Sequence, residues 1–80
     1  MTVAKQVMYK GCALKFHQNK ALAERLTAIK GKIIEANPKD TYFSCGLPLK
    51  DKHIEDQSKW KGKNVLGDIL RDIRDGLLSP

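Results

Sequence analysis

The sequence predicts an α+β fold that is mostly α-helical, with three main helices, one short strand and one long loop. Apolar side chains recur at helical spacing in two segments near the N-terminus and in one at the C-terminus. Between them, residues 37–63 are rich in Pro, Asp, Ser, Gly and Lys, which is typical of a loop. A chain of 80 residues is long enough for one domain at most, so residues 1–80 are predicted to form a single domain.

The first two helices are predicted over residues 3–16 and 20–30. In the first, the apolar residues among polar positions fit a helix better than a strand: Val3, Val7, Cys12, Leu14 and Phe16. Asn19 is a suitable N-cap for the second helix, and Gly31 supplies its C-terminal stop. Leu22, Ala23 and Leu26 lie on one stripe of that second helix.

The short strand is predicted at residues 32–37, where two adjacent isoleucines precede Pro38. Pro38 and Pro48 disfavour regular structure around them, so residues 37–63 are predicted to be a long loop. Loops of about 20 residues or more are uncommon in compact domains and are usually functional. This loop is therefore where chemistry is expected.

The third helix is predicted to start at Asn64, which is well placed to cap it. Its apolar positions follow the amphipathic pattern of a helix that faces the core: Val65, Leu66, Ile69, Leu70, Ile73 and Leu77. The charged positions are left for the solvent side: Arg71, Asp72, Arg74 and Asp75.

Composition excludes several classes of protein. The chain has 15 Lys and Arg against 9 Asp and Glu, for a net charge of +6, and 41% of its residues are apolar, too many for a disordered chain. No apolar run approaches the roughly 18 residues of a membrane span, and no signal for export precedes the first helix, so a cytoplasmic protein without a membrane partner is predicted. Cys12 and Cys45 are expected to be reduced thiols, and neither they nor the two histidines have zinc-ligand spacing.

Several stretches together resemble the NADAR family, the NAD and ADP-ribose associated proteins that include the YbiA-like N-glycosidases. The family pattern reads approximately M…KFxQN, then a strand ending in EAxPxD, then WGxG, then WxGxNxLG followed by Arg. Order and spacing match here over nearly the whole chain. The matching elements are Met8, KFHQN at 15–19, Leu22, EANPKD at 35–40, Gly46, WKGKNVLG at 60–67 and Arg74.

The resemblance implies a partial NADAR-like fold, because family domains are about twice this length and these residues correspond to the C-terminal half. A truncated domain is therefore expected, and it is left open whether the chain is an active enzyme alone. A second departure is that Phe43 and Ser44 stand where the family has Trp and Gly. The missing half, or self-association, is expected to complete a pocket. No metal or redox cofactor is implied.

NADAR-like enzymes hydrolyse N-glycosidic bonds to ribose that carries phosphate, in riboflavin-pathway intermediates or in ADP-ribose attached to a guanine base. A carboxylate can stabilise the oxocarbenium-like sugar of such a cleavage. By resemblance, Asp40 is the candidate catalytic residue; the alternative is a loop Asp that binds backbone N–H groups. Phe43 is the candidate platform for stacking a base, or else an ordinary aromatic that covers the core.

Three more residues are candidate ligand contacts. By resemblance, Lys15 and Gln18 of the KFHQN motif are expected to reach a phosphate or a ribose hydroxyl. Trp60 is expected to bind a ligand or, as the alternative, to pack the helix against the core. The expected ligand is a ribosyl-phosphate or ADP-ribosyl small molecule, or an ADP-ribosylated nucleobase.

A rival class of function comes from charge alone. Five lysines crowd the end of the loop and would attract nucleic acid or a nucleotide, although acidic residues are interleaved with them: Lys50, Lys52, Lys59, Lys61 and Lys63. The chain would then be a non-catalytic binding module. A third possibility is a polypeptide without independent function, which would expose the apolar face of its last helix.

Overall fold

The computed structural model describes residues 3–79, and helices are the only regular secondary structure in that range. In chain order they are α1 (Val3–Gln18), α2 (Lys20–Ala28), a 3-10 helix (Gln57–Lys59) and α3 (Val65–Leu78). The three main helices were predicted, but the α+β class is wrong. The described part of the chain is all-helical.

The predicted strand at residues 32–37 does not form, because its backbone groups bond to partners outside any strand. The N–H of Glu35 donates to Oδ1 of Asn64 at 2.8 Å, and the carbonyl of Glu35 accepts the N–H of Cys45 at 2.9 Å. One partner is a side chain and the other an isolated loop amide. No ladder of regularly spaced backbone bonds is built within residues 3–79, so the β-branched pair stays irregular.

The chain divides into two compact units. The helical unit comprises Met1–Ile33 together with Asp68–Pro80, and the loop unit comprises Ile34–Gly67. The helical unit thus contains α1, α2 and most of α3. The loop unit contains the long predicted loop and the first residues of α3.

In the helical unit, α2 begins as predicted and ends earlier. Oδ1 of Asn19 accepts the N–H of Leu22 at 3.1 Å, which satisfies one of the free donors of the first turn. The last helical residue is Ala28, and the N–H of Ile29 bonds to the carbonyl of Leu26. The prediction that Gly31 stops the helix is therefore wrong, although Gly31 does adopt a left-handed φ of 76°.

The predicted apolar face of α3 is confirmed, because all six of its positions are buried or half-buried, with Ile69 fully inaccessible. The predicted solvent side is wrong at Arg74, whose side chain is only 9% exposed. Its Nη1 donates to the carbonyls of Ile29 and Gly31, and its Nε donates to Oδ1 of Asp75 at 3.0 Å. The guanidinium carries enough donors to fasten the chain after α2 to the helix, and those bonds offset its burial.

None of the residues of α1 is fully buried, although α1 contacts α2. Val3, Val7 and Leu14 are mostly exposed. Cys12 is half-buried and Cys45 fully buried, and both are free thiols. Burial raises the pKa of the Cys12 thiol above its ordinary value of 9.0, an effect that nearby Lys15 opposes.

The loop unit is held together by the carbonyl row, the five consecutive carbonyl oxygens of residues 41–45. All five accept N–H groups from residues 61–66, at 2.8 to 3.0 Å. Successive donors do not pair with successive acceptors along the sequence. The carbonyl of Ser44 accepts from Asn64, whereas the carbonyl of Cys45 accepts from both Lys61 and Gly62. The pairing is dense without being a sheet. It also satisfies the first two N–H groups of α3, which donate to the row at residues 42 and 43.

Candidate functional site

Asp40 lies at the start of the segment that forms the carbonyl row, and its carboxylate organises the turn around itself. Its Oδ1 accepts the N–H groups of Tyr42 and Phe43, both at 2.9 Å. Its own N–H donates to the carbonyl of Asn37 at 3.2 Å. Oδ1 of Asp40 thus makes the backbone hydrogen bonds that the structural alternative predicted for a loop Asp.

The second carboxylate oxygen of Asp40, Oδ2, is not fully buried. It takes part in none of the hydrogen bonds within residues 3–79, and no buried side-chain oxygen of that range lacks a partner. Asp40 therefore has an oriented carboxylate, with one oxygen fixed by two N–H groups and the other outside the hydrogen bonds of the described residues. This geometry is compatible with both interpretations of Asp40, the catalytic one and the structural one.

Ser44 is the buried centre of this turn. It is fully inaccessible, and its Oγ lies within hydrogen-bonding distance of the carbonyl of Asn37, at 2.6 Å, and of the carbonyl of Asp40. The same Oγ accepts the N–H of Gly46 at 3.0 Å. Because the hydroxyl has a single hydrogen, it donates to one of the two carbonyls at a time while it accepts from Gly46.

Phe43 is half-buried beside Tyr42, and the two rings meet edge to face with centroids 4.8 Å apart. Nζ of Lys63 lies 5.9 Å from the centroid of the Tyr42 ring, within the range of a cation–π contact. The predicted stacking residue is thus part of an aromatic pair with a cation beside it. Phe43 and Asp40 are brought together directly, because the Phe43 N–H is one of the two that hold Asp40.

Trp60 is half-buried and follows the 3-10 helix. Its Nε1–H donates to the carbonyl of Ile54 at 2.7 Å. That bond ties the indole to the loop that it closes, which agrees with the packing alternative for Trp60. A ligand role for this residue stays a prediction.

Two glycines allow the carbonyl row to approach its donors. A Cβ on Gly62 would collide with the carbonyl oxygen of Ser44 and lie 2.9 Å from Cα and O of Thr41. A Cβ on Gly46, whose φ is 77°, would lie 2.9 Å from the backbone nitrogen of Gly62. Only residues without side chains fit at this crossing. Both glycines belong to the motifs that carry the family resemblance.

Lys15 and Gln18 lie in another part of the chain, on the last turn of α1 in the helical unit, and both are exposed. Asp40, Phe43 and Trp60 belong to the loop unit. The five predicted site residues are thus divided between the two units. The helical unit also contains a cleft of about 240 Å³, and none of the five predicted site residues contributes to its lining. The residues that line it include Tyr9, Ala13, His17, Asp72, Ile73 and Leu77.

All five lysines of the loop are exposed. Two of the acidic residues among them are engaged in local turns: Oδ1 of Asp51 accepts the N–H of His53 at 2.7 Å, and Oδ1 of Asp56 accepts the N–H and the hydroxyl of Ser58. Those bonds from Ser58 hold the pKa of Asp56 below its ordinary value of 3.8. From Gln57 to Gly67 the sequence has three lysines and no acidic residue.

Two kinds of feature are absent from the part of the chain that the structure describes. Among residues 3–79, no group of three or more His, Cys, Asp or Glu side chains is arranged to hold a metal ion. Over the same residues, no helix is both long and apolar enough to cross a bilayer.

The motifs around this turn define a known class of domain. The NADAR domain family model matches residues 1–78, and the chain belongs to the NADAR domain family. The family predicted from the sequence motifs is therefore confirmed.

Two curated proteins are similar to this chain. Protein irg-1 of Caenorhabditis elegans is 39% identical over 75 residues, which cover 92% of this chain and 35% of that protein. N-glycosidase R617 of Acanthamoeba polyphaga mimivirus is 39% identical over 70 residues, which cover 86% of this chain and 41% of that protein. The chain thus spans well under half the length of either relative. No solved structure gives a significant match.

Proposed function

We propose that this chain carries part of the active site of an N-glycosidase that acts on ribosyl-phosphate or ADP-ribosyl substrates. The observation that carries the proposal is the carboxylate of Asp40, whose Oδ1 is held by two N–H groups while Oδ2 takes part in none of the hydrogen bonds within residues 3–79. An enzyme that cleaves an N-glycosidic bond needs a carboxylate that stays fixed while positive charge develops on the sugar. The 39% identity to a protein named as an N-glycosidase supports the same reaction class.

In this proposal, Oδ2 of Asp40 faces the anomeric carbon and stabilises the oxocarbenium-like transition state. Phe43, beside it, stacks on the leaving base. Trp60, in the same loop unit, shapes the wall of the pocket. Because the chain spans 35% and 41% of its two relatives, we propose that a further polypeptide completes the pocket: a second copy, or the portion that the relatives have in addition.

The test compares substitutions that separate the charge of Asp40 from its structural role. Asp40→Asn retains an Oδ1 acceptor for the two N–H groups but removes the negative charge. Asp51→Asn is the matched control, because Asp51 also accepts a backbone N–H two residues ahead in the same loop. The assay measures release of the free base from a riboflavin-pathway ribosylamine phosphate and from ADP-ribosylated guanosine.

We expect Asp40→Asn to lower kcat by about 10²- to 10³-fold, the usual cost of losing one electrostatic contact to a transition state, with an unchanged melting temperature. Asp51→Asn should leave the rate unchanged. Equal cleavage by wild type and Asp40→Asn would remove Asp40 from the mechanism. If the wild-type chain cleaves neither substrate and ADP-ribose does not raise its melting temperature, the chain alone is not the enzyme.

The second candidate function is a binding module for nucleic acid or a nucleotide. It is favoured by the acid-free stretch at residues 57–67, which has three exposed lysines, one of them beside Tyr42. Phosphate binding of this kind weakens steeply as salt rises, whereas cleavage that depends on Asp40 should not follow that slope. Binding of a labelled oligonucleotide at several salt concentrations, with Lys59→Glu and with Lys20→Glu as the control, distinguishes the two functions.

A further inference from the structure

The hydroxyl of Ser44 makes contacts that packing alone does not require. Ser44 is fully buried, and a small apolar side chain would fill the same volume. Its Oγ nevertheless lies within hydrogen-bonding distance of two carbonyls and accepts one N–H. A buried hydroxyl with this many partners joins backbone segments that would otherwise be held only by their own turns.

Each polar group of Asp40 except Oδ2 is held by a neighbour. The N–H donates to the carbonyl of Asn37, the carbonyl lies within hydrogen-bonding distance of the Ser44 hydroxyl, and Oδ1 accepts from Tyr42 and Phe43. Three of these partners are backbone groups of the same turn. Ser44 is different, because its hydroxyl lies against the carbonyls of both Asp40 and Asn37 and accepts the N–H of Gly46 beyond the turn.

We propose that Ser44 is a positioning residue, whose hydroxyl fixes the backbone of Asp40 and thereby directs Oδ2. The inference rests on the proposed function of Asp40. Ser44 touches no reacting atom; it acts by holding the residue that does. Misplacing a catalytic group by about 1 Å can cost on the order of 10²-fold in rate, so a single buried hydroxyl can have a large effect.

Ser44 needs no left-handed backbone: among residues 3–79, the one residue other than Gly with positive φ is Asn64. The serine therefore adds hydrogen bonds without adding strain at its own position.

A double-mutant cycle tests the proposal in the cleavage assay. Ser44→Ala removes the hydroxyl and keeps the buried volume nearly filled. We expect it to lower kcat by about tenfold or more with little change in KM, and to have no further effect when Asp40→Asn is already present. Ser58→Ala is the matched control, because Ser58 also hydrogen-bonds within a turn of the same loop, but to Asp56.

A second readout does not depend on activity. NMR amide exchange at Tyr42 and Phe43 reports how firmly Oδ1 of Asp40 is held. Ser44→Ala should accelerate exchange at these two amides by about tenfold while residues of α2 keep their wild-type rates, because one lost hydrogen bond weakens the turn locally. Ser44→Cys keeps a weak donor at similar volume, and should restore part of the protection if the alanine variant does not fold.

The outcomes separate this inference from the proposed function. If wild type is inactive and Ser44→Ala still loosens the two amides, the chain alone is not the enzyme, and Ser44 is nevertheless shown to hold Asp40. If wild type is active and Ser44→Ala lowers kcat equally with and without Asp40→Asn, Ser44 acts independently of Asp40 and the inference is wrong. Unchanged exchange at Tyr42 and Phe43 also overturns it.

Discussion

Replacing Gly62 with alanine should be among the most damaging small changes to this chain. The added Cβ would collide with the carbonyl oxygen of Ser44 and lie 2.9 Å from two backbone atoms of Thr41. Backbone cannot rotate away as a flexible side chain can, so the two segments must separate. The first bonds to lengthen would be those from the N–H groups of Lys61 and Gly62 to the carbonyl of Cys45, now 3.0 and 2.8 Å.

Two effects contribute to the loss of stability expected for Gly62→Ala. Overpacking typically costs about 1–3 kcal/mol, and each of the two strained hydrogen bonds contributes roughly 0.5–1.5 kcal/mol, so Gly62→Ala should destabilise by about 2–6 kcal/mol. An 80-residue domain has only about 4–12 kcal/mol of stability in total. At roughly 4–8 °C per kcal/mol, the melting temperature should fall by at least about 8 °C, unless the variant does not fold at all.

Gly76→Ala is the matched control, because Gly76 lies within α3 and a Cβ there would meet nothing within 4 Å. It should stabilise the chain by about 0.5–1 kcal/mol through the better helix propensity of alanine. Thermal and urea melts followed by the fluorescence of the single tryptophan measure both variants. Equal melting temperatures for Gly62→Ala and wild type would refute the close crossing of the two segments.

Three further predictions concern other buried contacts. Asn64 combines a φ of 54° with an acceptor for the Glu35 N–H. Both Asn64→Ala and Asn64→Gly lose that bond, but glycine keeps the backbone freedom, so urea titration should find Asn64→Ala the less stable of the two. Trp60→Phe should lower stability by about 0.5–1.5 kcal/mol in calorimetry, because it removes the bond to the carbonyl of Ile54 and keeps an aromatic ring; an unchanged melting temperature would contradict this. The pKa of the Cys12 thiol is raised in the folded state, so the unfolded thiol ionises first as pH rises. The free energy of unfolding should therefore be constant below the ordinary pKa of 9.0 and decline as pH rises through the folded pKa. Urea midpoints between about pH 8 and pH 10.5 should show this decline, and Cys12→Ala should lessen it.

Periodicity and capping were enough to predict the three helices. The apolar spacing of α3 and the N-cap at Asn19 are local signals that tertiary structure does not alter. The sequence-based prediction was wrong where a residue distant in the sequence determines the local structure. Ile33 and Ile34 favour a strand, but a strand needs a neighbouring strand, and Glu35 bonds to a side chain 29 positions later. Arg74 looked solvent-facing because its two carbonyl acceptors lie more than 40 residues earlier.

The candidate site could be predicted in part, for a similar reason. The motifs indicated Asp40 and Phe43, and the structure brings these two together through a hydrogen bond. They gave no role to Ser44, which lies outside the residues that match the family pattern. A buried serine four positions after an Asp is a weak signal, because its acceptors are backbone carbonyls that any residue could supply. Only the folded turn shows that the hydroxyl meets them.

The carbonyl row has a consequence for how the length of this chain can vary. Residues 46–60 form an excursion whose two ends are fastened where the row meets its donors. Lengthening such an excursion is inexpensive, since doubling a loop costs only about 0.6 kcal/mol in closure entropy. Deleting one residue within 61–66 is different, because six donors must meet five acceptors in an irregular order that no one-residue slip can reproduce. Insertions are therefore tolerated between Pro48 and Ile54, while the short segment that carries the donors must keep its length.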